Sequence, residues 1–200
     1  MSTTFKKYMV VLQLTCLAAV PFHSAAQSTI QDFDDKVLID LSHHRTAQKT
    51  AFFMFLSKYN SAVNLAVPAG LFAGGVIGGD KDMRQNALYV TSSSAVNFLF
   101  TMALKKIFKR QRPFLANVKI QAVYQPGQYS FPSGHSSSSF TTATALSQAY
   151  PKWYVIAPAY LWAGTVSYSR LYLGVHYPTD VATGALLGTT SAMSMRFIKP

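Results

Sequence analysis

The chain has 200 residues, a length for about one domain; half are hydrophobic and only 12% are charged. Eighteen Lys and Arg against seven acids, all of them Asp, give a formal charge of +11, a balance that suits an anionic surface or substrate. Low charge with many aromatics excludes a disordered chain, and a lone cysteine, Cys16, excludes a disulfide framework.

The N-terminus has the form of a secretory signal over 1–26. Lys6 and Lys7 supply the positive region, Met9 to Val20 the apolar run, and Ser24-Ala25-Ala26 the small residues for cleavage before Gln27. An uncleaved anchor is the alternative, although the apolar run is short for a membrane span. Cleavage would remove Cys16 and leave no thiol nucleophile. Residues 27–58 read as an interfacial segment. In it Ile30, Phe33, Val37 and Leu41 form one apolar stripe opposite Asp32, Asp34, Asp35 and Asp40, which predicts an amphipathic interfacial helix. His43 and His44 fit helix-end polar residues beside Arg45 better than a metal pair. Residues 51–58 form an aromatic-rich lead-in.

Five uncharged runs follow within 59–200, at 61–79, 85–104, 135–151, 153–169 and 181–195. Several approach the length needed to cross a bilayer, while the third and fifth are short and rich in Ser and Thr. Small residues in them suit close helix contacts in lipid. The expected fold class is all-α: a membrane-embedded bundle of about five core helices plus the N-terminal interfacial helix. Five buried helices of a soluble all-α enzyme are the alternative.

Lys105, Lys106, Lys109, Arg110, Arg112 and Lys119 crowd one connection between runs. Lys105 and Arg112 are seven apart and would share a helix face, ended by Pro113. A Lys point charge beside an Arg fork suits a phosphate. A headgroup-contacting basic patch is the bland reading, and it fits Lys106, Lys109 and Arg110. Next, Pro132-Ser133-Gly134-His135 leads into an apolar run. Free backbone N–H groups at Ser133 and Gly134 would make an anion site, with His135 in the first turn as a possible general acid. Alone, this is also an ordinary capped helix. Finally, Ser169 to Asp180 sets Arg170, His176 and Asp180 in a region without other charge. If the segment is helical from His176, then His176 and Asp180 are one turn apart, either as a nucleophile with its orienting carboxylate or as a structural cap pair.

Together these stretches fit K-x6-R-P, P-S-G-H and S-R-x5-H-x3-D, and the chain thereby resembles the type 2 phosphatidic-acid phosphatase superfamily, which includes acid phosphatases and vanadium haloperoxidases. The resemblance implies an all-helical lipid phosphatase that needs no metal or other cofactor. It implies phosphate binding by Lys105, Arg112, Ser133, Gly134 and Arg170. His176 would become a phosphohistidine, Asp180 would orient it, and His135 would protonate the leaving alkoxide. The implied partner is a phosphorylated lipid in a bacterial inner membrane, with the site facing the periplasm.

Threading the five runs from an outer N-terminus puts all three motifs on one side. Lys81, Arg84, Lys152, Arg196 and Lys199 then face the cytoplasm, as positive-inside requires. A soluble periplasmic acid phosphatase and a vanadate-dependent haloperoxidase are the alternatives. Two-metal chemistry would want several acids where only Asp180 follows Asp82. Cations confined to one connection beside apolar runs disfavour nucleic acid.

Overall fold

A computed structural model describes residues 24–127 and 129–200, with side chains from residue 29 onward. The expected signal segment lies, up to residue 23, outside the described residues. Seven α-helices follow: α1 (Ser24–His43), α2 (Ala47–Ile77), α3 (Lys81–Phe108), α4 (Pro113–Ala116), α5 (Gly134–Ala149), α6 (Trp153–Tyr172) and α7 (Pro178–Ser194). A 3-10 turn, Arg196–Ile198, closes the chain, and no strand occurs among the described residues. The bundle is all-helical, as its composition and runs predict.

Local chemistry sets the helix ends. Thr46 accepts from Lys49 N to start α2, and Asp80 Oδ1 accepts from Met83 N at 2.9 Å to start α3. The expected lead-in over 51–58 and the run from 61 form one 31-residue helix, with Pro68 inside it. The boundary expected at 58/59 therefore falls within α2. The last helix starts at Pro178, between His176 and the uncharged run at 181; proline suits N1 because its missing N–H would have no partner there.

Helix α5 is the hub, packed against α2, α3, α6 and above all α7. The α5–α7 contact is close because α7 presents glycines. A Cβ on Gly188 would lie 2.1 Å from Ser137 O, and one on Gly184 would lie 2.6 Å from Ser133 O. The Ser and Thr residues that made the third run look polar turn inward. Ser136, Ser137, Ser139, Thr141 and Thr144 are buried, and Ser137 Oγ meets Thr101 Oγ1 at 3.1 Å and Asn97 Nδ2 at 3.3 Å on α3. Apolar side chains such as Leu65, Phe72, Ile77, Phe98, Leu99, Leu161 and Leu186 instead face outward. This inversion suits hydrocarbon solvent, where polar groups must find partners inside the protein. Two stretches, Ala47–Ile77 and Lys81–Ala116, are long and apolar enough to cross a membrane.

The N-terminal helix departs from its expected orientation in one respect. Ile30 and Phe33 are exposed, as an interfacial stripe should be, but the acidic face opposite them is not all solvated. Asp34 is fully buried beside Leu38, because α1 docks through this face onto the connection around Arg110 and the start of α7.

Candidate active site

All three motifs lie at one end of the bundle, and each is shaped by a break in helical structure. Helix α3 carries Lys105 in its last turn and stops where Lys109 adopts a left-handed conformation, φ 47°, its N–H bonding Lys105 O at 3.1 Å. Arg112 is then extended, φ −74° and ψ 154°, as a residue before proline must be, and Pro113 opens the short α4. Lys105 and Arg112 thus do not share a helix face, contrary to the expectation; a turn in the chain brings them to one place. Likewise, His176 precedes α7 by two residues and is not one helical turn from Asp180. The left-handed Gly174, φ 72°, turns the chain off α6 there, and a Cβ at this position would meet Gln121 O at 2.9 Å.

The pair nonetheless meets. His176 Nδ1 lies 3.5 Å from Asp180 Oδ2, and His176 Nε2 lies 3.3 Å from Arg112 Nη1. A guanidinium can only donate, so Nε2 is the acceptor nitrogen and the imidazole proton sits on Nδ1, towards Asp180. Burial pushes the His176 pKa down to about 3 against the pull of Asp180, so the ring is neutral with a lone pair at Nε2. Asp180 occupies the first turn of α7, where it accepts from Tyr177 N at 2.9 Å, from Arg110 Nη1 at 2.8 Å and from Ser130 Oγ. Burial raises its pKa, but the hydrogen bond from His176, then the charge of Arg110 and the hydrogen bond from Ser130, outweigh burial and hold the carboxyl below its ordinary range.

Arg112 and Arg170 act on this imidazole, and Lys105 lies near both; each of the three cations is at most 7% exposed. Lys105 Nζ donates to Tyr129 O at 2.6 Å; Arg112 donates to Val175 O at 2.8 Å and Gly127 O at 2.9 Å. Arg170 donates to Tyr124 OH at 2.7 Å and to Ser57 Oγ. Carbonyls and hydroxyls from α2 and the 124–130 region thus satisfy donors that would otherwise be buried unpaired.

Ser133 caps α5 and is fully buried. Its hydroxyl accepts from Ser136 N, and its N–H donates to Asp180 O at 3.0 Å. The donors left at the helix start are the N–H groups of Gly134 and His135, which precede any intrahelical acceptor. His135 is half-buried, with Nε2 3.1 Å from Ser57 O, so Ser57 joins His135 to Arg170.

Four further residues take part that motif reading leaves out or assigns elsewhere: Ser57, Ser130, Arg110 and Asp34. Arg110 is not a headgroup contact; it bridges Asp34 and Asp180 at 2.8 Å each. Only its position in the basic cluster, two residues before Arg112, could have marked it. Among the aromatics of this connection, Tyr124 bonds Arg170, Tyr129 lends its carbonyl to Lys105, and Phe131 packs edge-on against Phe108.

Comparison with known proteins places the chain in a family. The family model described as the PAP2 superfamily matches residues 86–199. An undecaprenyl-diphosphatase of Sulfolobus acidocaldarius is 32% identical over 151 residues, which cover 74% of this chain and 70% of that protein. Several other curated relatives are spanned over little more than half their own length. Among solved structures, Aquifex aeolicus LpxE superposes with a TM-score of 0.68 at 25% identity, covering 82% of this chain and 94% of that one. The transmembrane PAP2-type phosphatidylglycerolphosphate phosphatase of Bacillus subtilis gives 0.70 at 22% identity, covering 96% and 94%. With the apolar outer girdle, this likeness makes the bundle a membrane-embedded one.

Proposed function

The chain belongs to the PAP2 superfamily, and on that premise we propose that it hydrolyses the phosphoryl group of a membrane lipid through a phosphohistidine. Nε2 of His176 attacks phosphorus in line as the bond to the lipid oxygen breaks, and His135 delivers a proton to that oxygen. Water, giving a proton back to His135, then attacks phosphorus as the N–P bond breaks, which releases inorganic phosphate and restores the neutral imidazole. Lys105, Arg112 and Arg170, with the N–H groups of Gly134 and His135, neutralise the equatorial oxygens, the part metal ions play in other phosphatases. Incoming phosphate oxygens take over donors that now bind Gly127 O, Tyr129 O, Ser57 Oγ and Tyr124 OH.

The observation that carries this reading is the state of His176: Asp180 on one nitrogen, an Arg fork on the other, and the lone pair directed into the cations. The site opens outward: α1 and the 109–133 connection lie on the periplasmic side of an inner membrane, with the α2–α3 turn, the α5–α6 turn and the C-terminus inside. The decisive experiment is phosphate release from a short-chain phosphatidic acid. Wild type should turn over and His176→Ala should not; equal rates in both would sink the mechanism. Running phosphatidylglycerol phosphate, undecaprenyl pyrophosphate and lipid A in the same assay then names the lipid.

A further inference from the structure

Asp34 belongs to none of the three motifs and lies outside the residues matched by the family model, yet its carboxylate is fully buried at the site. A buried carboxylate is costly unless well partnered, and every partner of Asp34 leads to Asp180. Arg110 Nη2 donates to Asp34 Oδ2 at 2.8 Å and to Gln31 Oε1 at 2.9 Å, while Nη1 donates to Asp180 Oδ1 at 2.8 Å and Thr179 Oγ1 at 2.7 Å. The guanidinium face rests on the Tyr177 ring, 3.9 Å from its centroid, so the fork can turn only within its own plane. Asp34 also takes hold of α7 directly, accepting from Thr179 N at 3.1 Å and from Thr179 Oγ1. Thr179 immediately precedes Asp180, and its N–H has no intrahelical acceptor.

We propose that Asp34 is a positioning residue which, through Arg110 and Thr179, holds Asp180 against His176, making the N-terminal helix part of the catalytic apparatus. The proposal rests on the roles given above to His176 and Asp180. One cation lies between two carboxylates, so each limits the pull of Arg110 on the other. Without Asp34, both forks of Arg110 would turn to Asp180, since a bidentate pair is the preferred geometry, and draw it from an imidazole already 3.5 Å away. Thr179 would lose its anchor at the same time, and the first turn of α7 with it.

The test uses the full chain in detergent micelles with short-chain phosphatidic acid, reading phosphate release against substrate concentration. Asp34→Asn should lower kcat by about tenfold or more and leave KM within about threefold, because phosphate binding is untouched while the nucleophile is misaligned. Asp34→Glu should recover much of the loss. Arg110→Gln should fall similarly, and adding Asp34→Asn to it should cost less than Asp34→Asn costs alone, because the two share the path through Arg110 and only the Thr179 link is left to lose. Asp32→Asn, which removes the same charge from an exposed position on the same helix, should match wild type.

A wild-type kcat in Asp34→Asn, a loss confined to KM, or multiplicative effects in the double variant would overturn the proposal. Should Asp34→Asn fail to fold, Thr179→Val, which removes the hydroxyl shared by Asp34 and Arg110, carries the test, and an unchanged kcat there refutes it. Wild type without phosphatase activity, or active His176→Ala, would instead bring down the functional reading. Activity lost in His176→Ala but intact in Asp34→Asn would bring down only the role of Asp34.

Discussion

At the residue scale, charge and burial together define what each site group can do. His176 is buried and neutral because desolvation outweighs the attraction of Asp180. Its folded pKa, about 3, lies below the ordinary imidazole value, so the unfolded chain binds more protons as pH falls. The stability this contributes is complete above about pH 6.5 and is lost between there and about pH 3. His176→Gln should therefore lose less thermal stability than wild type between pH 7.5 and pH 4.5, measured by melting in detergent. A steeper loss in the variant would contradict the neutral assignment. Arg112 makes a second residue-scale case. It bonds Val175 O, Gly127 O and His176 with a planar fork, which an ammonium cannot reproduce. Arg112→Lys should keep the charge yet lower kcat/KM by about 10²-fold, the cost typical of a lost transition-state donor.

At the element scale, two contacts govern the site. The first is the α5–α7 seam, where the Gly184 and Gly188 backbones touch α5. Gly188→Ala must separate the helices, since its Cβ would sit 2.1 Å from Ser137 O and 2.9 Å from Thr141 N. The expected cost is about 1–3 kcal/mol, read as a lower melting temperature. Because His135 lies in the first turn of α5 and Asp180 in the first turn of α7, phosphatase activity should fall with it. The second is the connection whose Gly127 and Tyr129 carbonyls now hold Arg112 and Lys105. Phosphate or vanadate competes for those donors, so hydrogen exchange in the peptide carrying Gly127 and Tyr129 should speed up on binding. Protection there would show that the carbonyls stay on the cations.

At the scale of the whole molecule, antiparallel packing gathers both ends of the chemistry at one face, and membrane insertion gives that face a side. A reporter active only in the cytoplasm, fused after Pro200, should light up; activity of a periplasm-only reporter there would reverse the orientation. The helical class, the five core helices and the list of cations and histidines were legible in the sequence, because hydrophobic runs, Pro and Gly breaks and motif spacing are local properties. Composition also separated the apolar helices from a basic connection. Spacing alone could not show that Lys109 would turn left-handed, that His176 would precede its helix, or that α2 would run unbroken through residue 58, since neighbouring contacts decide those. Nor could it show that Asp34, which reads as one of four solvated acids on an amphipathic helix, would be buried on Arg110. A carboxylate's partner 76 or 145 residues away is fixed only when the helices pack. The sequence by itself determined which cations and histidines the motifs contain, because motif spacing is local; the tertiary structure decided which residues hold His176 and Asp180 together, because those contacts exist only once the helices pack.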